Sequence, residues 1–204
     1  MAKKIKIDAD LSTGEKIKEA ARKVFTQKGY AATRTRDIAE EAGINLALLN
    51  YYFRSKEKLF KEVMLEKVQQ LFGALLPLMS DPSTKLESKI EGIVSTYLDM
   101  LLANPDLPLF VLSEIRGHQE QLKKVLPLEK ILQNISFVKQ LKERRPDIKP
   151  VHYLMNILGM TVFPFIAMPA FETMGIINKS EFEALISERK KLIPLWVNAI
   201  LKAK

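Results

Sequence analysis

An all-α fold is predicted by three features of the sequence. Apolar residues recur at the three- and four-residue spacing of amphipathic helices along most of the chain. Only eight of the 204 residues are glycine, and no Asn-Gly or Asp-Gly hairpin signal occurs. A chain of this length and ordinary apolar content can bury roughly 70% of the surface it exposes when unfolded, enough for one large domain or two small ones.

The elements follow in order. Ile17, Ala20, Ala21, Val24 and Phe25 mark a first helix that stops near Gly29. Thr35 is placed to cap a short second helix, with Asp37 in its first turn suiting the helix dipole and Ile38, Ala39 and Ala42 on one face. Gly43 breaks that helix after two turns, and Asn45 can cap the next. Ser55 caps a longer helix carrying Leu59, Phe60, Val63, Met64, Val68, Leu71, Phe72 and Leu75, which "LPLMSDPST" ends. A clear period then runs from Ile90 to Leu102. Two shorter helices are expected near Leu109–Gly117 and Gln119–Val125, and another over Leu128–Arg144. The uncharged stretch from Pro150 to Phe171 and a helix from Ser180 to Ala203 close the chain, for about nine helices with no internal repeat.

The first three helices form a helix-turn-helix pattern, the last two being joined by a tight turn at Gly43. The third helix has an unusual surface. Leu48, Leu49, Tyr52 and Phe53 fall on one side, which leaves Leu46, Ala47, Asn50 and Tyr51 on the other. A helix facing water normally carries charge there, and this one has none. The side suits the DNA major groove, which admits one helix and is read by hydrogen bonds and thymine-methyl contacts. Asn50 can pair with an adenine edge, and Leu46 and Ala47 can touch methyl groups. The plainer alternatives are a solvated or phosphate-bonded amide and a lone surface leucine.

Net charge is +8 and the pI about 9.5, with +5 of it in residues 1–60. That points to a polyanion partner, nucleic acid or acidic membrane, or to plain solubility. Lys3, Lys4 and Lys6 lie in a basic N-terminal arm, residues 1–11, expected to be mobile. The absence of cysteine excludes disulfides, thiolate metal sites and cysteine nucleophiles. No phosphate loop, nucleophile elbow or HExxH motif occurs, so no enzyme, cofactor or metal is expected. "MAKKIKIDAD" lacks the apolar core of a signal peptide, and a cytoplasmic protein is expected. The uncharged stretch has the length of a membrane span, but Pro150, Pro164 and Pro169 argue for a buried helix or a subunit interface instead.

"YAATRTRDIAEEAGINLALLNYYFRSKEKLF" resembles the DNA-binding region of the tetracycline-repressor (TetR) family of bacterial transcription regulators, over about Thr13 to Leu65. Gly29-Tyr30, Ile38-Ala39, Ala42-Gly43, and Tyr52-Phe53 with Lys56 come in the family's order. The third helix reads Asn45-x-Ala47-x-x-Asn50-Tyr51, where many relatives read roughly Ser-Lys-Gly-Thr-Leu-Tyr. The resemblance implies a homodimer on a near-palindromic double-stranded operator, and a small-molecule inducer bound in the second domain. It gives Thr35, Tyr51 and Lys56 phosphate contacts and Arg36 a base or phosphate contact, and Asn45, Leu46, Ala47 and Asn50 complete the DNA-binding set. The domains are then residues 1–54, a helix-turn-helix DNA-binding domain, and residues 55–204, a helical regulatory and dimerisation domain.

In the second domain, Tyr97, Phe110, Met160, Phe163 and Met168 offer apolar and aromatic surface for a pocket, with Glu114, His118 and His152 as polar contacts. Ordinary core is the alternative. Leu158, Phe165, Ile186, Ile193, Trp196 and Ile200 are expected at a four-helix dimer interface built from the last two segments. The long helix from Ser55 joins the two domains and is the natural lever between them. The expected function is a sequence-specific transcriptional regulator, a repressor released by a small apolar or amphipathic ligand. The rival is a nonspecific architectural DNA-binding protein, which accounts for the charge but not for the neutral helix face.

Overall fold

The computed structural model describes residues 2–117 and 135–203, which contain nine α-helices and no strand. The helices are α1 (Ala2–Ala32), α2 (Thr35–Glu41), α3 (Leu46–Tyr52), α4 (Lys56–Ser80), α5 (Leu86–Ala103), α6 (Leu107–Gly117), α7 (Ser136–Arg144), α8 (Pro150–Thr173) and α9 (Lys179–Lys202). The helix expected at Gln119–Val125 and the first part of that at Leu128–Arg144 lie outside the described residues. The chain divides into two compact units, Met1–Val68 and Gln69–Lys204. The division falls inside α4, so the first three turns of α4 belong to the N-terminal unit along with residues 1–54.

In the N-terminal unit, α1 includes the residues read as a basic arm and loses helical geometry at Gly29 (φ 72°, ψ 166°), where the apolar period stops. Gly43, at φ +66°, ends α2 in a conformation that favours glycine. Around it the Ile44 N–H donates to the Ala39 carbonyl (3.0 Å) and the Gly43 N–H to that of Glu40 (3.1 Å), which satisfies two carbonyls at the helix end. The Asn45 Oδ1 accepts the Leu48 N–H at 2.8 Å and so starts α3, and the Ser55 Oγ accepts the Lys58 N–H at 3.1 Å and starts α4. Thr35 does not cap α2, contrary to expectation. It is the first helical residue, and the Asp37 carboxylate closes the end by accepting the Arg34 N–H at 2.9 Å.

Ile17, Ala21, Ile38, Leu49, Leu59 and Val63 are fully buried and form the core of this unit. Ala42 and Ile44 are half-buried at its edge. Phe25, Tyr30 and Phe60 form an aromatic cluster with ring centroids 4.5 to 6.2 Å apart. Charge joins α1 to α4 further along. Glu66 accepts from the Lys18 ammonium at 2.7 Å and from the Arg22 guanidinium at 2.5 Å.

In the C-terminal unit, α5, α7, α8 and α9 bury Ile90, Val94, Leu98, Phe137, Leu141, Tyr153, Ile157, Ile186, Ile193 and Val197 against one another. The prolines of α8 do not interrupt it. Pro164 has no N–H for the Met160 carbonyl, and Arg189 of α9 supplies the missing donors, its Nη2 at 2.8 Å and Nε at 3.3 Å from that oxygen. The Thr161 and Thr173 hydroxyls donate to the carbonyls of Ile157 (2.8 Å) and Pro169 (2.7 Å) in the same helix.

Burial alone would raise the Glu66 carboxyl, but hydrogen bonds from Arg22 and Lys18 outweigh it and hold the group below its ordinary value of 4.5. The contribution of this clamp is therefore fully present above that value and is lost as pH falls through the depressed one. Glu66→Gln should lower the unfolding free energy at pH 7 by about 1 kcal/mol. Denaturant titrations should show the gap between variant and wild type closing as pH drops below the ordinary glutamate range. A gap independent of pH would contradict the clamp.

Candidate nucleic-acid interface

The site is built on α3, whose inner side is fixed by Leu49 and Phe53, both buried. Tyr52 is half-buried and packs on α1 beside Gly14, where a Cβ would sit 3.7 Å from its ring. The other side is largely left open by the described residues. Ala47, Asn50 and Tyr51 are exposed, Tyr51 by 77%, and Leu46 is half-buried. The division of the helix into two sides is therefore the one its spacing predicts. Tyr51 also meets the Tyr52 ring edge-on at 5.5 Å, which restricts its orientation. Asn45 stands exposed at the start of this side, but its side-chain oxygen is committed to the cap.

Cations flank the neutral side. Arg36, on α2, and Arg54, just after α3, are exposed and form no ion pair among the described residues. Thr35, released from capping, is half-buried at the first turn of α2. Lys23 and Lys28, by contrast, are paired with Glu41 (2.8 Å) and Asp37 (3.3 Å).

Lys56 is placed differently from a simple phosphate contact. Its ammonium donates to the carbonyls of Tyr30 and Thr33, both at 2.9 Å, and lies 4.2 Å from the Tyr30 ring centroid. Two of its three N–H groups thus serve the carbonyl end of α1, where a helix carries partial negative charge. The motif position of Lys56 marks a fold-holding contact. The Glu66 clamp, by contrast, has no motif signal, since it depends on which turn of α4 meets α1.

In the C-terminal unit the predicted residues separate. Of the dimer set, Phe165, Ile186 and Ile193 are buried within the chain and so belong to its own core. Phe165 packs edge-on against Phe182 at 5.2 Å. Leu158 (48%) and Trp196 (41%) are exposed, and Ile200 is half-buried. Of the pocket set, Phe110 is buried, and Tyr97, Met160 and Met168 are half-buried. Burial pushes the Tyr97 hydroxyl up to about 12. Phe163 is 60% exposed and His152 is also exposed, so neither lines an interior pocket of the single chain. Glu114 lies on α6, and His118 lies outside the described residues.

Two substitutions separate holding residues from surface ones. Lys56→Ala should lower the stability of the protein by about 1–2 kcal/mol by stranding two carbonyls, and Asn45→Ala by about 1 kcal/mol through loss of the cap. Asn50→Ala and Tyr51→Ala should leave it within about 0.5 kcal/mol. Chemical denaturation followed by circular dichroism checks this, and a large loss for Asn50→Ala would show that this side of α3 is not free.

Residues 17–63 match the family of bacterial regulatory proteins named tetR. The chain is 26% identical over 164 residues to the HTH-type transcriptional regulator YttP of Bacillus subtilis, covering 76% of this chain and 78% of that protein. It is 28% identical over 151 residues to the HTH-type transcriptional repressor KstR2 of Mycolicibacterium smegmatis, covering 67% and 70%. In structure it is similar to a TetR-family transcriptional regulator from Mesorhizobium loti, with a TM-score of 0.59 at 21% identity, over 93% of this chain and 96% of that one. Residues 17–63 of the N-terminal unit are thus similar to the tetR family of bacterial regulatory proteins, and the chain shares the all-α fold of the Mesorhizobium loti protein.

Proposed function

We propose that the protein acts as a homodimeric, sequence-specific DNA-binding regulator in the cytoplasm, a repressor released by a small apolar or amphipathic ligand, with no catalytic role. The observation that carries this reading is the exposed, uncharged side of α3 between unpaired cations. α3 enters the major groove, Asn50 pairs with an adenine edge, and Leu46 and Ala47 approach thymine methyls. Thr35, Arg36, Tyr51 and Arg54 grip phosphates, which fix register without reading sequence. The third N–H of Lys56 can join them while the other two hold α1.

The dimer reading rests on apolar surface left open by the fold. Val151, Met155 and Phe163 stand exposed at four-residue multiples along α8, with Leu158 beside them, and Leu195 and Trp196 are exposed on α9. α8 is long and apolar enough to cross a membrane. A matching apolar side on the neighbouring helix is what a subunit interface needs, and two such chains suit a near-palindromic operator. Of the expected pocket residues, Tyr97, Met160 and Met168 remain candidates for ligand contact. The ligand must bind one arrangement of the heads more tightly than the other. α4 is the lever between the two units. It has a weak point where Pro77 offers no N–H to the Gly73 carbonyl.

Fluorescence anisotropy with an operator selected from a random pool tests the DNA reading. The slope of log affinity against log salt should be about −0.9 per phosphate contacted, and Arg36→Ala should reduce its size by about 1. Equal affinity for operator and shuffled DNA at every salt concentration would instead support the architectural alternative. Trp196→Glu should sediment as a monomer at micromolar concentration, where the wild type is a dimer. A variant that stays dimeric would place the interface elsewhere.

A further inference from the structure

The open sides of α8 and α9 carry a regular pattern. On α8, His152, Met155, Gly159, Val162 and Ile166 follow one another at alternating spacings of three and four. The first three are exposed and the last two half-buried. Tyr153, Ile157, Thr161 and Phe165, which the chain buries, lie on the opposite side. On α9, Leu185, Glu188, Leu192, Leu195 and Ala199 repeat the spacing, and all but Leu185 are exposed. A seam of this period is what one helix presents to another in a left-handed bundle. Only 22% of the most apolar stretch of α8 is buried by the chain itself. Between Pro150 and Phe171 there is no Asp, Glu, Lys or Arg. Such a side needs an equally uncharged one opposite it, and a second copy of the chain supplies the same side again.

Gly159 stands at the centre of the α8 seam. Glycine inside a helix is less stable than alanine, and the chain's own packing gives no reason for it here. A Cβ added at Gly159 would meet nothing within 4 Å. Other helical glycines do have such a reason. A Cβ at Gly14 would sit 3.7 Å from the Tyr52 ring, and one at Gly92 3.5 Å from Leu78 Cδ1. Gly73 is open like Gly159, but it lies in the turn of α4 that Pro77 disturbs. What the missing side chain of Gly159 makes room for therefore lies outside the single chain. A glycine at a helix crossing lets two backbones approach more closely than the roughly 8–10 Å between axes that side chains impose.

We infer that α8 crosses the α8 of a second copy at Gly159, so that the two-fold axis of the homodimer passes beside this residue. The inference rests on the homodimer proposed above and adds its point of closest contact. Met155 and Val162, about one turn to either side, then interdigitate across the crossing, and the α9 seams close its flanks.

The chain has no cysteine, so a single introduced one can cross-link only to its own copy. Gly159→Cys in the full-length protein, oxidised with copper–phenanthroline, should run mostly as a covalent dimer on a non-reducing gel, because a disulfide needs Cα atoms within about 7 Å. Gly73→Cys, the control for chance encounters, should stay monomeric on the same gel. In sedimentation equilibrium, Gly159→Ala and Gly159→Leu should raise the dissociation constant of the dimer by about 10-fold and about 100-fold. Circular dichroism should show wild-type helix content in both. Failure of the cross-link in a Gly159→Cys protein that still sediments as a dimer overturns the crossing and leaves the homodimer standing. So does a Gly159→Leu dimer as tight as the wild type. Lost helix content in Gly159→Leu also overturns the crossing, since the chain itself would then need the glycine. A wild type that is monomeric throughout, or that partitions into phosphatidylcholine vesicles, overturns the crossing and the homodimer together.

Discussion

Two groups on α4 hold the helix-turn-helix platform together, and neither lies on the surface it supports. Lys56 takes the carbonyl end of α1 at Tyr30 and Thr33, and ten residues later Glu66 sits between Lys18 and Arg22. α1 and the first turns of α4 thereby become one fixed piece. Leu49 and Phe53 of α3, with Ile38 and Ala39 of α2, bury themselves on it. The neutral side of α3 can then be spent on an outside partner, because Leu49, Phe53 and the Asn45 cap hold the helix in place, and not Ala47, Asn50 or Tyr51. Asn45 completes the arrangement from within α3, by starting the helix at a defined residue and so fixing which side Asn50 and Tyr51 occupy.

The C-terminal unit solves a different problem, how to keep a long and almost uncharged helix intact with two prolines inside it. Arg189 donates to the carbonyl that Pro164 leaves open, and its guanidinium also lies 5.4 Å from the Trp196 ring. One side chain thus repairs α8 and braces the exposed aromatic of α9. Burial lowers the Arg189 guanidinium from its ordinary range, though it stays charged at neutral pH. The same unit keeps a second cation, Lys89, in a setting with only neutral acceptors. The two cases are physically distinct. Arg189 satisfies a backbone carbonyl that Pro164 leaves open, whereas Lys89 donates to neutral side chains and feels the Asp81 carboxylate only through space.

Much of the fold was legible in the sequence because caps and glycine turns are local chemistry. Asn45, Ser55 and Gly43 act where their residue types predict. Thr35 misled because Asp37 could close the same helix end from inside the first turn. The two sides of α3 were legible because its period is regular over two turns and one side is purely apolar and aromatic. α8 and α9 were harder. Nearly every residue of α8 is apolar, so period cannot tell the chain's own core from an exposed side: Phe165 and Phe163, two residues apart and hence on opposite sides, are equally apolar, yet one is buried and the other exposed. The cation pattern around the head was visible. That Lys56 spends two donors on backbone, and that Glu66 lies opposite Lys18 and Arg22, depends on the packing of α4 against α1, which no local signal encodes.

The central claim is that the outward side of α3 reads base pairs, and base preference at single positions tests it most directly. Sequences bound by wild type and by Asn50→Ala from the same random pool should differ at one base pair in each half-site, where the variant loses its adenine preference while the flanking positions keep theirs. A preference unchanged at every position, or weakened evenly across the whole site, would contradict the assignment of α3 as the reading helix.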